Sequence, residues 1–335
     1  MSKGDKTSPS KIAFLEWFIG FAEGDGSFIV THIKGTGKDR LFFMINQEER
    51  KVMYKIKKEL GFGSVFPYKQ KGATYYRYQV SAKKDLTRLV HIFNGNLLAT
   101  KVKKRFKSWL QAYNNRYHVT SGTSSPILYK PGQLKVSLQS DWLAGFVDAE
   151  GGFFVDLREP PKGKAWASRL VPRFSVTQKH EQTVLENIRD LIVLDPDGVQ
   201  VSQVNKPNDN QTIAPSLNPL WGLPELRSGN FASLTFASQK CKWPEELDPN
   251  EVPPVTLVFV VPKDTYRLEL GSARYFVELI KYFESHPLRG QRRLVFLRWK
   301  YLIANRDAFK TGSTAPEERL ILLRRLISRL LIYRN

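Results

Sequence analysis

The sequence has few of the residues on which several common sites depend. Its single cysteine, Cys241, excludes an intramolecular disulfide and a zinc site built from cysteines. The five histidines are scattered, and none forms an HExxH pair. Neither a GxxxxGKS/T loop nor a GxGxxG fingerprint occurs, so zincin, P-loop and Rossmann sites are excluded as well.

Long hydrophobic runs are also missing. The longest, residues 255–261 with one threonine inside it, is far shorter than the roughly 20 apolar residues that span a bilayer. We therefore expect a soluble protein with no membrane partner.

Negative charge is scarce relative to positive charge. Lys and Arg number 52 against 32 Asp and Glu, which gives a net charge of +20. Residues 1–140 hold 25 of these cations and only 9 of the acids. An excess this large favours a polyanionic partner such as a nucleic acid. The composition is otherwise globular, with 41% hydrophobic residues, and a length of 335 residues suggests two domains.

The chain repeats itself. When it is shifted by 125 residues, WFIGFAEGDGSFIV (17–30) aligns with WLAGFVDAEGGFFV (142–155), and the acids and glycines stay in register. The segments that follow also repeat, which places Gln47 opposite Gln178. These matches indicate a tandem duplication.

Apolar periodicity and glycine breaks predict the same order of elements in each copy. The expected fold class is α+β, a tandem pair of αββαββα units, each with a four-stranded antiparallel sheet backed by helices. In the first copy the pattern predicts helices at 11–24, 49–60, 83–93 and 101–115 and strands at 27–33, 41–46, 65–68 and 75–81. The predicted domains are a first unit (1–115), a linker (116–139), a second unit (140–310) with an insertion near 206–262, and a C-terminal helix (311–335). Within the insertion one strand is predicted, at 231–237.

Small residues form a strip on the first helix of each copy. Gly20 and Gly24 lie four residues apart, as do Gly145 and Ala149. Such strips let two helices touch backbone to backbone. By itself this pattern is explained by packing alone.

Two carboxylates are harder to explain by packing. Asp25 and Glu150 occupy the last turn of these helices, where the helix dipole disfavours negative charge. If the two strips pack together, both acids reach the same edge, and each makes the other harder to ionise. An oxygen-only site of this kind suits Mg²⁺ shared with waters and substrate phosphates, an arrangement that hydrolyses phosphodiesters.

The segments FIGFAEGDG and LAGFVDAEG resemble the two signatures of a single-chain LAGLIDADG homing endonuclease, and the likeness covers most of residues 11–310. The resemblance implies that the two units form a tandem pseudo-twofold pair with the motif helices at their interface, and that the antiparallel sheets form a DNA-binding saddle. It implies Mg²⁺ as the cofactor, with Ca²⁺ as an ion that supports binding without cleavage.

The resemblance also implies roles for individual residues. The metal-binding set is Asp25, Glu150, Gly24 and Ala149. The catalytic set is Asp25, Glu150, Gln47, Gln178, Lys101 and Lys51. The earlier motif acids, Glu23 and Asp148, are expected to be structural. In the second copy Gln182 stands opposite Lys51 and Gln291 opposite Lys101, so catalysis is expected to be asymmetric.

Strand alternation supplies candidates for DNA contact. After each motif, the residues on one face agree between the copies, whereas those on the other face differ and could read two unlike half-sites in the major groove. The candidates are Ser27, Ile29, Thr31, Ile33, Lys34, Arg40, Lys69, Arg77, Gly152, Phe154, Asp156, Arg158, Arg169 and Arg173.

The function expected from the resemblance is metal-dependent cleavage of a long asymmetric double-stranded DNA target by a monomer. An RNA maturase that acts on its host intron RNA is the alternative. A nucleic-acid-binding protein without catalysis stays open but leaves the paired acids unexplained, and a paired-carboxylate protease lacks the D-S/T-G loop. The family's habits imply an intron-encoded protein of mitochondria or another organelle.

Overall fold

The computed structural model describes residues 8–33, 35, 38–119, 125–132, 135–158, 169–193, 256–260, 264–304, 321 and 325. Unit 1 contains α1 (Pro9–Asp25), β1 (Gly26–Ile33), β2 (Lys38–Gln47), α2 (Arg50–Leu60), β3 (Ser64–Gln70), β4 (Ala73–Val80), α3 (Lys83–Phe93) and α4 (Thr100–Asn114). Unit 2 contains α5 (Trp142–Glu150), β5 (Gly151–Arg158), β6 (Arg169–Lys179), α6 (Gln182–Val193), β7 (Thr256–Val260), β8 (Thr265–Leu270), α7 (Ala273–Ser285) and α8 (Arg292–Ala304). The predicted pair of αββαββα units is therefore confirmed.

Each unit has one four-stranded antiparallel sheet, and the strand orders are equivalent. They are β1-β2-β4-β3 and β5-β6-β8-β7. Matching register supports the duplication, because Ser27 pairs with Met44 in the first sheet as Gly152 pairs with Ser175 in the second. No described helix is long and apolar enough to cross a membrane.

Alternation along the strands separates a helix-covered face from an open face on each sheet. Phe28 of β1 packs on Phe43 and Trp109, with ring centroids 5.2 and 5.5 Å away. Phe153 makes the equivalent contacts with Phe174 and Trp299 at 5.4 and 5.2 Å. The residues between these core positions lie on the open face.

The motif helices α1 and α5 pack against each other along their small residues. A methyl group on Gly20 would lie 2.9 Å from the backbone nitrogen of Phe146 and closer still to the carbonyl oxygen of Trp142. Gly145 occupies the equivalent position on α5, and a methyl group added to it would lie 2.8 Å from the backbone nitrogen of Phe21. The glycines are therefore required by backbone contact, as the spacing predicts.

The second sheet differs from the sequence prediction at its third strand. That strand, β7, lies inside the segment 206–262 that was predicted as an insertion. The apolar run at 255–261, the longest in the chain, supplies it. The strand predicted at 231–237 lies outside the described residues, as does the predicted C-terminal helix apart from Ile321 and Arg325, which are helical.

The start of the predicted linker is ordered against unit 1. Helix α4 continues into a π-helical turn (Asn115–Val119). The side chain of Asn114 donates to the carbonyl of Ile127 and accepts from the N–H of the same residue. The side chain of Asn94 donates to the carbonyl of Leu128 and accepts from the N–H of Lys130.

Candidate functional site

Two motif acids tie the units together. The indole of Trp17 donates to Asp148 at 2.9 Å, and the indole of Trp142 donates to Glu23 at 2.6 Å. Each bond joins a tryptophan of one motif helix to a carboxylate of the other. These acids are 2–3% exposed, so the bonds are shielded from water.

The same acids also fix the segments that lead into α4 and α8. Glu23 accepts the N–H groups of Leu98 and Ala99 at 2.7 and 2.6 Å. Asp148 accepts those of Arg289 and Gly290 at 2.6 and 3.1 Å. Burial nevertheless raises the pKa of Glu23 to about 7 and raises that of Asp148. These contacts support the structural role expected of both residues.

Asp25 and Glu150 stand at the ends of the two motif helices and act on each other. Burial first, and the negative charge of Glu150 second, raise the pKa of Asp25 to about 7. Burial also raises the pKa of Glu150. Gln47 donates a side-chain hydrogen bond to Asp25, and Gln178 donates one to Glu150. The structure therefore brings together four residues that the sequence predicts for the site.

Lys101 reaches this pair from the first turn of α4. Its Nζ lies 3.3 Å from the side-chain oxygen of Gln178, and its charge helps to hold down the pKa of Glu150. Burial lowers the pKa of Lys101. A cation of unit 1 thus faces an acid of unit 2 across the interface between the two units, which we call the seam.

Lys51 is exposed, and its charge acts on Glu49 rather than on the paired acids, so its catalytic role stays a prediction. Arg292 supplies the positive charge instead, because it lowers the pKa of both Asp25 and Glu150. Its guanidinium donates to the carbonyls of Gly151, at 2.6 Å, and Asp148 at the end of α5.

Sequence reasoning missed Arg292 although a signal existed. The buried residues Phe106 and Phe296 align the last helices of the units, which puts Arg292 opposite the buried Val102. A buried apolar position that becomes arginine in the second copy indicates a partner for its charge.

Two glutamates missed by the sequence alignment cap helices across the seam. Glu181, only 2% exposed, accepts the N–H groups of Thr100, at 3.0 Å, and Lys101 at the start of α4. Glu49 accepts the N–H of Gln291 at 2.8 Å, just before α8. Each acid belongs to one unit and caps a helix of the other, where the helix dipole favours negative charge.

The alignment placed Glu49 opposite His180 because β6 is one residue longer than β2. His180 takes up the extra residue in a left-handed conformation, with φ of 63°. Buried positions of α2 and α6 match only after this shift: Val52, Met53 and Ile56 align with Val184, Leu185 and Ile188. Lys51 is therefore equivalent to Thr183 and not to Gln182.

We predict that Glu181→Gln lowers the free energy of unfolding by about 1–2 kcal/mol. The two N–H groups bind different oxygens of Glu181, and glutamine replaces one of these oxygens with an NH₂ donor. Chemical denaturation measures the change. Glu278→Gln, which removes an exposed ion pair with Lys281 on α7, is the control and is expected to change stability by less than about 0.5 kcal/mol. Equal effects of the two variants would contradict the capping role.

The raised carboxylate pKa values have a consequence for stability. Glu16, Glu23 and Asp25 each have a folded-state pKa of about 7. Their contribution to stability is therefore complete below the ordinary carboxylate range and is lost as the pH rises through about 7. In the presence of a chelator, the free energy of unfolding is expected to fall by roughly 2 kcal/mol or more between about pH 5 and pH 8.

Thermal unfolding at several pH values measures this loss. Asp25→Asn is expected to weaken the dependence of the unfolding temperature on pH only in part, because Glu16 and Glu23 still titrate. A divalent cation is expected to raise the unfolding temperature more at pH 8 than at pH 6, because it binds the ionised pair. A stability that increases from pH 5 to pH 8 in chelator would contradict the account.

The residues at the seam fit a metal ion that is shared with a second ligand. Among the described residues, no group of three or more His, Cys, Asp or Glu could hold a metal alone. The two carboxylates of Asp25 and Glu150 offer hard oxygen ligands, and carbonyls in the last turn of a helix lack helical partners. Gly24 and Ala149 lie in those turns and in contact with each other.

The open face of the first sheet carries most of the predicted DNA contacts of unit 1. Register places Ser27, Ile29, Thr31 and Ile33 there, opposite Met44, Phe42, Arg40 and Lys38. Arg77 lies on the same face, donates to Asn46 at 2.8 Å and stacks over Tyr68 at 4.7 Å. Asn46 and Tyr68 were not predicted, although strand alternation would have placed them there. Lys34 lies outside the described residues.

The register corrects the predicted face of Lys69. This residue alternates with Tyr68 along β3 and pairs with Thr74, which places it on the helix-covered face together with Val65 and Tyr78. The prediction rested on its position beside a strand, without a register to assign the face.

The open face of the second sheet carries the remaining candidates. Gly152, Phe154 and Asp156 pair with Ser175, Arg173 and Val171. Arg158 and Arg169 pair with each other at the far end, and only their backbone is described. Glu269 and Arg267 of β8 lie on this face as well and were not predicted.

Comparison with known proteins gives the following similarities. Residues 18–113 match the family described as LAGLIDADG endonuclease. The chain is 36% identical over 182 residues to the "probable intron-encoded endonuclease 4" of Neurospora crassa, and 30% identical over 205 residues to the "probable intron-encoded endonuclease Cox1-I1b" of Schizosaccharomyces pombe. These alignments cover 53% and 56% of this chain but only 31% and 51% of the relatives. It is 26% identical over 142 residues, 42% of the chain, to the "intron-encoded RNA maturase bI4" of Saccharomyces cerevisiae, of which it covers 19%.

Solved structures agree on the fold. The LAGLIDADG meganuclease I-AabMI, bound to uncleaved DNA, superposes with a TM-score of 0.60 at 17% identity, covering 94% of this chain and 98% of that one. I-SmaMI, bound to an uncleaved DNA target in the presence of calcium ions, gives 0.57 at 13% identity, covering 94% and 97%.

The glycine-packed helices with an acid at each end, and the paired sheets beside them, define the class of two-motif LAGLIDADG proteins. Residues 18–113, which hold the first signature, match the LAGLIDADG endonuclease family, and the fold of the chain is that of LAGLIDADG meganucleases.

Proposed function

We propose that the protein is a homing endonuclease that cleaves both strands of a specific double-stranded DNA, acts as a monomer and requires a divalent metal. One observation carries the proposal. Asp25 and Glu150 meet at the seam between the two units, where burial and the charge of Glu150 disfavour ionisation of Asp25. A cation shared with DNA phosphates relieves that cost.

Asp25 and Glu150 are the residues that would hold the metal, with Gly24 and Ala149 contributing backbone carbonyls from the same turns. Mg²⁺ is the ion proposed for cleavage and Ca²⁺ an ion that supports binding alone. When bound, such a metal would supply a water of lowered pKa and stabilise the charge on the leaving oxygen.

The chain's own side chains orient this site. Gln47 and Gln178 hold the two carboxylates in place by side-chain hydrogen bonds. Lys101 places a positive charge near Glu150, where it can stabilise the charge that develops on a phosphate. Arg292 offsets the repulsion between the acids and secures the end of α5. Lys101 and Arg292 do not occupy equivalent positions in the two repeats. The two DNA strands are therefore expected to be cut at different rates.

DNA is proposed to lie across the open faces of both sheets. Equivalent positions carry different side chains in the two units, such as Arg40 and Val171, which suits a target whose half-sites differ. One chain supplies both readers, so a second copy is not needed. The excess of positive charge supports binding to the phosphate backbone.

The names of the relatives support a proposal that the protein is encoded within an intron, and with it a mitochondrial or other organellar site of action. A maturase function is the second candidate, because one similar protein carries that name. Splicing of the host intron RNA, assayed with and without the protein, tests it. Splicing that depends on the protein, without any DNA cleavage, would favour the maturase.

The test of the main proposal is cleavage of a plasmid library of intron-free organellar genes. The cox1 gene is included because one relative is named for it. Cutting at one site in Mg²⁺, and binding without cutting in Ca²⁺, are the expected results. Absence of any specific cutting by the folded protein in every divalent metal would overturn the proposal.

A further inference from the structure

The open face of the second sheet carries a connected network of charged side chains. Arg173 lies between two carboxylates, 2.6 Å from Asp156 and 3.2 Å from Glu269. Glu269 also lies 3.0 Å from Arg267, which donates in turn to the hydroxyl of Ser175 at 3.3 Å. The network thus crosses three adjacent strands, β5, β6 and β8.

The first sheet has no equivalent network at the matching positions. Register and the repeat place Thr31 opposite Asp156, Phe42 opposite Arg173 and Gln79 opposite Glu269. The equivalent of Arg267 is Arg77, whose partners are the amide of Asn46 and the ring of Tyr68. Neutral groups in unit 1 therefore stand where unit 2 has acids.

Stability does not explain these acids. The four charged side chains are 28–48% exposed, and ion pairs of that exposure contribute little to folding. On a face that meets a polyanion, each carboxylate repels the phosphate backbone. Their presence therefore needs a reason connected with what this face contacts.

The geometry supplies such a reason. Both terminal nitrogens of Arg173 are engaged by carboxylates, and its Nε is buried without a partner. The Nε of Arg267 is buried and unpartnered as well. Guanidinium groups held in this way have few orientations and few free N–H groups, which suits recognition of a base edge better than a loose contact with phosphate. Carboxylates can themselves accept from cytosine in the major groove.

We propose that Asp156 and Glu269 are specificity-determining residues. They hold Arg173 and Arg267 for base readout and weaken contact with non-cognate DNA, so that unit 2 reads its half-site more stringently than unit 1. The inference rests on the proposed function and adds to it an unequal division of specificity between the units.

The experiment compares wild-type protein with Glu269→Gln by selecting bound sequences from a library in which every target position is varied. Glu269→Gln is expected to lose about tenfold in discrimination, at positions in one half-site only. Its affinity for unrelated DNA is expected to increase several-fold, with a steeper salt dependence. A matched variant, Gln79→Glu, introduces the acid at the equivalent position of unit 1. It is expected to weaken binding to unrelated DNA and to sharpen discrimination in the other half-site.

Thermal unfolding of both variants confirms that they are folded. The inference is overturned if Glu269→Gln leaves the pattern of discrimination unchanged or weakens all sequences equally. It is also overturned if the change spreads over both half-sites. Failure of the proposed function gives a different result, because wild-type protein would then select no sequence at all or would select one that it does not cleave in Mg²⁺.

Discussion

Asp25→Asn and Glu150→Gln are each expected to reduce the rate of DNA cleavage by at least about 10³-fold while the protein still binds its target. Each change removes one of the two negative charges proposed to hold the metal and leaves the shape of the seam almost unchanged. The loss corresponds to about 4 kcal/mol of transition-state stabilisation. Single-turnover cleavage in Mg²⁺ and binding in Ca²⁺ measure the two quantities separately.

The same substitutions are expected to stabilise the metal-free protein. Removing one carboxylate relieves the repulsion that raises the pKa of Asp25. Asp25→Asn is therefore expected to gain roughly 1 kcal/mol in free energy of unfolding at pH 8 in chelator. Glu278→Gln again serves as the control for both measurements. A variant that loses activity together with stability would point to a structural role for these acids instead.

Gly145→Ala is expected to lower the free energy of unfolding by about 3 kcal/mol or more, because the added methyl group meets backbone atoms. The added methyl would lie 2.8 Å from the backbone nitrogen of Phe21 and nearer still to the carbonyl of Trp17. Backbone atoms of a packed helix cannot move aside as a flexible side chain can. The two motif helices would have to separate, which also breaks the hydrogen bonds between each tryptophan and the opposite acid.

Chemical denaturation and the yield of folded protein measure this effect. Ser108→Ala, on an exposed surface of α4, is the matched control and is expected to change stability by less than about 0.5 kcal/mol. Gly20→Ala is expected to resemble Gly145→Ala, because the two glycines occupy equivalent positions. A Gly145→Ala protein as stable as the control would contradict the close packing of the helices.

The seam could be predicted from sequence because duplication makes its signal visible twice. The glycine strips and the acids at the helix ends occur in both copies, so their spacing could be compared directly. Alternation then assigned residues to the open faces of the sheets. These are Ser27, Ile29, Thr31 and Ile33 in β1, and Gly152, Phe154 and Asp156 in β5. Local periodicity and a repeat were sufficient for these features.

Other parts of the site depend on register, which the sequence alone did not fix. One extra residue at His180 shifted the alignment and hid the equivalence of Glu49 and Glu181. The same shift paired Lys51 with Gln182 in place of Thr183. Lys51 itself was chosen from the resemblance, whereas Arg292 acts on the acids from another helix. Lys69 failed for a similar reason, because its face follows from pairing within the β3–β4 hairpin.

Anomalous scattering from Mn²⁺ in a crystal of the protein bound to its DNA target tests the central claim most directly. The account predicts density between the side chains of positions 25 and 150, at metal–oxygen distances of about 2.0–2.2 Å, and in contact with DNA phosphate oxygens. Density bound elsewhere, with the two carboxylates free of metal in a complex that cleaves its DNA, would contradict it.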